Sequence, residues 1–243
     1  MEHRPIISLC GEELHPDPLG GLYWPARKIL IVSDLHFEKG SYFASRGALL
    51  PPYDTKATIA RLQTLITRYN PERVISLGDA FHDVGAEARM DEEDFAALQS
   101  LNLASDWIWI LGNHDPEPPE SFPGQALWQV KIGPFTFIHE PTIGAEGQIS
   151  GHLHPCARIS LEGRRLRRPC FAVGDDRLIM PALGTYTGGL NILDSAFCGL
   201  WRTSRSGPTA YVMGDQGVFA VAGANLIADP PRREQGQPNK RAG

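Results

Sequence analysis

Short apolar runs alternate with helical segments along the first part of this sequence. The runs are ILIV at 29–32, VISL at 74–77, WIWIL at 107–111 and FTFI at 135–138. Their length and their β-branched and aromatic content are typical of central strands that are covered on both faces. Residues 54–69 have apolar side chains at helical spacing, with Asp54 or Thr55 available as a cap, and residues 91–101 repeat this pattern with Asp91 as cap. Up to the FTFI run the chain therefore predicts β-α-β-α-β-β, with right-handed crossovers and a mainly parallel sheet.

After Gly147 the pattern changes to short strand-like runs separated by Gly, Pro and Asp turns. These runs are QISGHLHP, RRPCFAV, RLIMPAL, GLNIL and AYVMGDQGVFAV. No long helical pattern occurs among them, so this half predicts a sheet without crossover helices. Packed on the first sheet, it would complete one α/β sandwich domain over residues 1–228, with helices outside. Residues 229–243 have little apolar surface to bury and are predicted to form a disordered tail.

Composition excludes several classes of protein. Of the 243 residues, 42% are hydrophobic and 21% are charged, which is typical of a globular protein and not of a disordered one. No apolar run reaches the roughly 18 residues of a membrane span, and the N-terminus lacks an apolar signal segment. With four cysteines and no Cys-x-x-Cys pair, we expect a cytoplasmic protein with reduced thiols. The net charge of −5 argues against a nonspecific nucleic-acid binder, although residues 156–205 hold 8 basic and 4 acidic side chains.

Side chains that can bind metals follow five of the apolar runs, where each strand is predicted to end. They are, in chain order, Asp34 and His36, Asp79, Asn113 and His114 with Asp115, His139, and His152 and His154. The carboxyl ends of strands in an open α/β sheet share one edge, where such folds place their sites. Oxygen and nitrogen donors without a thiolate suit Mn, Fe or Zn. The order and joint occurrence of these residues therefore predict a metal site.

The spacing within two of these motifs adds an expectation about geometry. On an extended backbone, residues i and i+2 face the same way, so Asp34 and His36 can bind one ion or two adjacent ions. The same holds for His152 and His154. A glycine, which permits sharp turns and close approach, precedes three of the candidate ligands, at Gly78, Gly112 and Gly151.

The motifs D-x-H, G-D, G-N-H-D, H and G-H-x-H occur here in one order, and in this the sequence resembles the calcineurin-like metallophosphoesterase superfamily. The resemblance implies a four-layer α/β/β/α sandwich and two divalent metal ions, Mn²⁺ foremost, with Fe or Zn as alternatives. It implies one ion held by Asp34, His36, Asp79 and His154, and a second held by Asp79, Asn113, His139 and His152. Asp79 would bridge the two ions. It also implies that His114 contacts the phosphoryl oxygens or protonates the leaving group.

Longer stretches resemble the metallophosphoesterase found with an ATP-dependent ligase, a helicase and an exonuclease in bacterial DNA-repair gene clusters. They include WPARKILIVSDLHFEKGSYFASRG, GDAFHD, IHEP, SGHLHPCARI and LIMPALGTYTGGLNIL, and they span about residues 20–200. This resemblance implies a DNA-damage-response endonuclease or phosphodiesterase. It also implies DNA or RNA as candidate substrates, and the ligase, helicase and exonuclease as candidate partners.

Two further features bear on the substrate. GDAFH resembles the GDLFH of double-strand-break repair nucleases in the superfamily, where the histidine that matches His82 helps to position the nucleic-acid phosphate. Protein phosphatases of the superfamily have Asp followed by Arg-Gly at this point. A basic run could track a phosphodiester backbone if all its members face the metal cleft, namely Arg164, Arg165, Arg167 and Arg168. The alternative is a solvated hairpin, because EGRRLRRP contains a turn-like Glu-Gly.

Four other residues carry alternative interpretations. Asp115 either orients His114 or caps the next turn. Lys39 either meets a substrate phosphate or is an exposed lysine in a loop. Trp107 and Trp109 alternate on a central run, so we expect them in the core and not as stacking platforms.

The expected function is a binuclear-metal phosphoesterase that hydrolyses phosphodiester bonds by metal-activated hydroxide. Asn113 and His114 would stabilise the charge that develops on the phosphoryl oxygens. The alternatives are a phosphodiesterase for small nucleotides, a phosphomonoesterase, and a scaffold of the same fold that has lost catalysis. None of the matched motif positions is missing, which argues against the scaffold.

Overall fold

The computed structural model of the chain describes residues 5–48, 50–117, 121–201 and 207–230. Within these ranges the strands form two sheets that pack face to face. The strands of the first sheet, adjacent in chain order, are β1 Ile7–Leu9, β2 Glu12–Pro16, β3 Leu22–Trp24, β4 Ile29–Val32, β5 Arg73–Leu77, β6 Asp106–Ile110 and β7 Gln125–Leu127. Strands β4 to β7 are parallel, which confirms the predicted mainly parallel sheet. Its last strand, β7, was not predicted, and the fourth predicted strand, residues 135–138, lies in the second sheet instead.

An antiparallel meander, β1 to β3, extends this sheet and was not predicted. Its first two strands join through Cys10 and Gly11, which both have positive φ as a tight hairpin turn requires. Trp24 at the end of β3 is fully buried, and its indole donates a 2.9 Å hydrogen bond to Glu12. Strands of three to five residues are too short to show a clear alternation in the sequence, which explains why the meander was missed.

Helices cover the outer face of the first sheet. They are α1 Lys39–Ala44, α2 Asp54–Tyr69, α3 Ala86–Arg89 and α4 Glu92–Leu103. The predicted cap of α4 is confirmed, because the Asp91 carboxylate accepts a backbone N–H of the first turn. The predicted cap of α2 is wrong, since Tyr53 takes that position and neither Asp54 nor Thr55 bonds to the helix end. Asp54 instead accepts the backbone N–H of Gly40 at 2.7 Å and so joins α2 to α1.

The second sheet is formed by the later part of the chain. Its strands are β8 Gln129–Ile132, β9 Phe135–Ile138, β10 Gln148–Ser150, β11 Pro155–Leu161, β12 Arg164–Val173, β13 Arg177–Ile179, β14 Leu190–Asn191, β15 Thr209–Gly214 and β16 Gly217–Val221. They lie in the order β14-β11-β12-β13-β10-β9-β8, and β15 pairs with β12 and β16. In the described part of the chain no α-helix connects these strands, as the sequence predicted.

Alternate residues of the parallel strands enter two different cores. Ile29 and Ile31 of β4 face the second sheet and belong to the same cluster as Phe137 of β9. Leu30 and Val32 face the other way, into the cluster formed with α2 and α4. The same helix-side cluster contains the two tryptophans of β6, which confirms their predicted place in the core, Trp107 and Trp109.

A third cluster covers the outer face of the second sheet. Ile192, Phe197 and Leu200 pack there on Cys170 of β12. In the described residues this covering layer consists of loop and the 3-10 turn Ser195–Phe197, and not of a long helix. The layers are therefore helices, sheet, sheet and an outer cover, which confirms the predicted sandwich.

Two remaining expectations concern the tail and membranes. Of the predicted tail, residues 231–243 lie outside the described part of the chain. Asp229, just before them, lies 3.5 Å from the guanidinium of Arg167. Among the described helices, none has the length and apolar character that crossing a membrane requires.

Candidate metal centre

The loops that follow β4 and β5 lie side by side, because these strands are parallel neighbours. The backbone N–H of His36 donates to the carbonyl of Asp79 at 2.9 Å. The next residue, Phe37, donates to the carbonyl of Ala80 at the same distance. The loop that carries Asp34 is thus fixed against the loop that carries Asp79.

Asp34, His36 and His154 form the first cluster of candidate ligands. The Nε2 atom of His154 lies 3.0 Å from Oδ1 of Asp34 and 3.5 Å from Nε2 of His36. Asp34 and His36 are buried, and His154 is mostly buried. One donor atom from each residue lies within 4.8 Å of the others, so these three side chains could hold a metal ion.

Asp79, His139 and His152 form a second cluster with the same property, and Asn113 adjoins it. The Nε2 atom of His139 lies 3.5 Å from Oδ2 of Asp79 and 3.2 Å from Nδ1 of His152. The same atom lies 3.0 Å from the side-chain oxygen of Asn113. The backbone N–H of His152 donates to Asp34 at 3.1 Å, so the two clusters are in contact.

The backbone at these ligands is not extended, contrary to the expectation from spacing. Five candidate ligands have left-handed φ values between 44° and 67°, namely Asp34, His36, Asp79, His152 and His154. Residues other than glycine seldom adopt this conformation, and such strained residues cluster at functional sites. The two histidines of the last motif therefore do not share a strand face, and each joins a different cluster.

Hydrogen bonds on the far ring nitrogen fix the tautomer of two candidate ligands. Nδ1 of His139 lies 2.8 Å from the carbonyl oxygen of Leu77, and Nδ1 of His154 lies 3.1 Å from that of Gly188. Because a carbonyl oxygen only accepts, Nδ1 carries the proton in both rings. In the neutral ring Nε2 then presents a lone pair to its cluster, as in metal-ligating histidines. Carboxylate and amide oxygens with bare imidazole nitrogens fit divalent ions such as Mn, Fe or Zn.

Two glycines of the motifs allow the ligand loops to approach one another. A Cβ atom at Gly112 would overlap Asp79, and one at Gly151 would overlap Ser33 and Asp34. The Ser33 hydroxyl, which the sequence did not single out, donates to Asp34 at 2.5 Å. These glycines therefore let the loops that carry the candidate ligands pack closely against one another.

Burial and opposite charge act against each other in this centre. Burial lowers the pKa of His36 to about 3, although two neighbouring carboxylates counteract it. Burial disfavours ionised Asp79, but its hydrogen bond with His139 outweighs this and lowers the pKa of Asp79 below its usual range. Burial likewise opposes a charge on His139, yet Asp79 raises the pKa of His139 to about 9. A proton and a metal ion therefore compete for His139.

His114 and His82 lie beside the second cluster. Nε2 of His114 is 4.0 Å from the Asp79 carboxylate, and this side chain is 42% exposed. Its Nδ1 donates to the backbone carbonyl of His82 at 3.1 Å, and the two rings stack with centroids 5.0 Å apart. His82 is buried and packs edge-on against Tyr42.

Asp115 neither orients His114 nor caps the next turn. Its carboxylate accepts backbone N–H groups from Ala80, Phe81 and Gly112, and so connects the loops after β5 and β6. Burial raises the pKa of Asp115 to about 7, against the effect of these hydrogen bonds. A tertiary role of this kind depends on two loops meeting in space, and no local sequence signal points to it.

Lys39 begins α1 and is half-buried, so the expectation of an exposed loop lysine is wrong. Burial lowers the pKa of Lys39, and the carboxylates of Asp34 and Asp79 oppose this effect. The ammonium group therefore lies within electrostatic reach of both clusters. Contact with a substrate phosphate stays a prediction.

The basic run lies on β12, where the predicted hairpin is confirmed. Strands β11 and β12 pair through a turn at Glu162 and Gly163, which both have positive φ. Because side chains alternate along a strand, the four arginines divide into two pairs on opposite faces: Arg165 with Arg167, and Arg164 with Arg168. The condition that all four share the face of the metal cleft is therefore not met.

A family profile and one solved structure agree with this geometry. A sequence profile described as calcineurin-like phosphoesterase matches residues 27–164, more than half of the chain. The Pseudomonas putida nuclease MPE is 30% identical, with a TM-score of 0.69 over 90% of this chain and 100% of that one. The E. coli phosphoesterase Yfce is 16% identical, with a TM-score of 0.38 over 80% and 98%. A search of curated proteins found no match.

The family match covers all five motifs, since it begins before Asp34 and ends after His154. This family uses two divalent metal ions, and the two Asp/His clusters are suited to hold them. The chain belongs to the calcineurin-like phosphoesterase family.

Proposed function

We propose that the chain is a metal-dependent phosphodiesterase that cleaves nucleic acid. The observation that supports this most is the stacked pair of His114 and His82, which adds two imidazoles to the side of the second cluster. Protein phosphatases of the superfamily have Asp at the position of His82, followed by Arg-Gly, and here Asp83 and Val84 follow instead. The likeness to a nuclease over nearly the full length of both chains favours the same substrate class.

Each cluster would hold one divalent ion, Mn²⁺ foremost, with Asp79 as the bridge between them. The first ion would be bound by Asp34, His36 and His154, and the second by Asn113, His139 and His152. When bound, the ions supply charge neutralisation of the phosphate and activation of water. Burial of the carboxylates strengthens their hold on the ions, because the low dielectric of the interior strengthens the attraction between opposite charges.

The protein side chains would act on the substrate from the open side of the centre. Asn113 and His114 would donate to the phosphoryl oxygens as negative charge develops on them. When the bond between phosphorus and the leaving oxygen breaks, His114 would give that oxygen a proton from Nε2, the nitrogen that its bond to His82 leaves free. His82 would position the neighbouring phosphate oxygen and hold the ring of His114 by stacking.

Arg167 is joined by a hydrogen bond to the segment that holds His154 of the first cluster. It donates to the carbonyl of Gly189, the neighbour of the Gly188 carbonyl that holds His154. Arg165 shares its strand face, so this pair is the part of the run suited to contact a nucleic-acid backbone. A DNA-repair role with a ligase, helicase or exonuclease as partner follows from the resemblance of the sequence, and a cytoplasmic location would agree with it.

Four substrates, assayed with one Mn²⁺-loaded preparation of the full chain, test this function. They are bis-p-nitrophenyl phosphate, p-nitrophenyl phosphate, a 2′,3′-cyclic nucleotide and single-stranded DNA. We expect faster hydrolysis of the diester than of the monoester, together with cleavage of DNA. His82→Ala should lower kcat/KM for the diesters, and His15→Ala on β2 serves as the control. Preference for the monoester would favour a phosphomonoesterase, and cleavage of the cyclic nucleotide alone would favour a small-nucleotide phosphodiesterase.

A further inference from the structure

We propose that Trp128 forms a subsite for a nucleobase of the substrate, directly beside the metal centre. The proposal rests on the proposed nuclease function and names the part of the substrate that this side chain would contact. A cavity of about 350 Å³ adjoins the second cluster. His139 of the second cluster and the adjoining Asn113 line part of it. Most of its other lining residues are apolar, namely Leu111, Pro116, Trp128 and Ile138.

The backbone on both sides of Trp128 is fixed by strand pairing. Leu127 pairs with Ile110 at the end of β7, and Gln129 pairs with Ile138 at the start of β8. A single residue thus connects the two sheets, without a flexible loop. Trp128 is nevertheless 65% exposed. A large aromatic side chain on a rigid backbone can stack on a planar ligand with little loss of conformational entropy.

The charge of the cavity favours a neutral occupant. Among the described residues that line it there is no lysine or arginine, and Glu140 at its rim is an exposed carboxylate. A second phosphate group would be repelled there, whereas a planar uncharged group would be accepted. The base attached to the nucleoside next to the scissile phosphate is such a group. Stacking on an aromatic side chain accepts every base, since each has a π-face.

The position of the cavity connects base and phosphate. Asn113 and His139 line the cavity and also lie in contact with each other at the second cluster, 3.0 Å apart. A diester phosphate bound at the centre would therefore have one of its two ester groups on the side of the cavity that Trp128 lines. The sequence did not single out this residue, because an isolated tryptophan between two short apolar runs has no motif around it.

Two substrates that release the same leaving group test the subsite. They are thymidine 5′-(p-nitrophenyl phosphate) and methyl p-nitrophenyl phosphate, which differ only in the group that would occupy the cavity. In the Mn²⁺-loaded full chain, Trp128→Ala should lower the ratio of kcat/KM for the thymidine substrate to that for the methyl substrate by about 5- to 150-fold. Trp128→Phe should keep most of this ratio, because phenylalanine also stacks.

The matched control is Phe219→Ala, which removes another exposed aromatic side chain, from β16 of the second sheet. It should leave the ratio unchanged. A second measurement does not depend on turnover: a single-stranded oligonucleotide that carries 5-iodouracil is irradiated with the full chain. Mass spectrometry should then find the cross-linked peptide to contain Trp128.

The outcomes separate the subsite from the proposed function. If both substrates are hydrolysed with a ratio that Trp128→Ala does not change, the subsite is overturned and the phosphodiesterase stands. If neither substrate is hydrolysed but the cross-link maps to Trp128, the hydrolase is overturned and the nucleobase contact stands. Cross-linking confined to other peptides would also overturn the subsite and would favour a partner protein as the occupant of this surface.

Discussion

The Oδ2 atom of Asp115 accepts a 2.7 Å hydrogen bond from the backbone N–H of Ala80, the residue that follows Asp79. The same carboxylate accepts the N–H of Phe81 at 3.1 Å and that of Gly112 at 3.2 Å. One buried side chain thus holds together the two loops that carry the central carboxylate and the amide of the second cluster.

Asp115→Ala should therefore destabilise the protein and weaken its metal binding. It leaves three buried N–H groups without a partner, and each such group costs about 1–3 kcal/mol. Because loops can relax, we expect a loss of at least about 2 kcal/mol in the free energy of unfolding. Denaturant unfolding and metal analysis measure both effects. Asp115→Asn keeps one acceptor oxygen and should lose less; equal effects of the two variants would contradict this account.

Asp79→Asn should abolish turnover and lower metal occupancy, because a neutral amide is a poor bridge between two dications. In the unchanged protein, crystals soaked in Mn²⁺ should show two anomalous peaks about 3.5–4 Å apart, both in contact with Asp79. Asp83→Asn makes the same chemical change nearby, at a carboxylate that binds Arg89 and belongs to neither cluster. It should keep both ions. A single peak, or peaks that do not contact Asp79, would refute the bridging assignment.

His114→Ala should retain both metal ions and yet turn over slowly. Its Nε2 lies 4.0 Å from the Asp79 carboxylate. The His114 side chain is also more exposed than those of the ligands His139 and His154. General acid catalysis contributes typically ~10²–10⁴-fold, so kcat should fall by a factor in that range. Metal content, measured on the same sample as kcat, decides the matter. Loss of an ion in this variant would make His114 a ligand instead.

Much of the fold and of the centre could be predicted, because both depend on local patterns. The continuous apolar runs predict strands that are buried on both faces, and Ile31 and Val32 do enter two different cores. The return of polar residues at each strand end is visible in the sequence as well. Parallel strands bring these ends to one edge, so Asp34 and Asp79 meet for reasons that the sequence already contains.

The features that were missed depend on contacts between distant segments. Nothing around Asp115 indicates that two of its three partners, Ala80 and Phe81, lie 35 and 34 positions earlier in the chain. His152 and His154 have a left-handed backbone, so an argument from extended spacing reached the wrong geometry. Trp128 comes to line the same cavity as Asn113 only when the two sheets pack together.

The two faces of β12 offer a test of nucleic-acid contact in which each variant is the other's control. Arg165 and Arg167 share the face on which Arg167 donates to Gly189, while Arg164 and Arg168 lie on the opposite face. Replacing either pair by alanine removes the same charge. A guanidinium has five donors, so Arg167 retains some for a phosphate although it also pairs with Asp229.

Arg165→Ala with Arg167→Ala should weaken binding of single-stranded DNA and flatten its dependence on salt. Each phosphate contact to a single strand contributes about 0.7 to the slope of log affinity against log salt, so losing two contacts should lower the slope by about 1.4. Fluorescence anisotropy over a salt series measures this change. Arg164→Ala with Arg168→Ala should leave the slope near its original value. Equal effects of the two pairs would mean that net charge and not position attracts DNA, and no effect of either would favour a small-nucleotide phosphodiesterase.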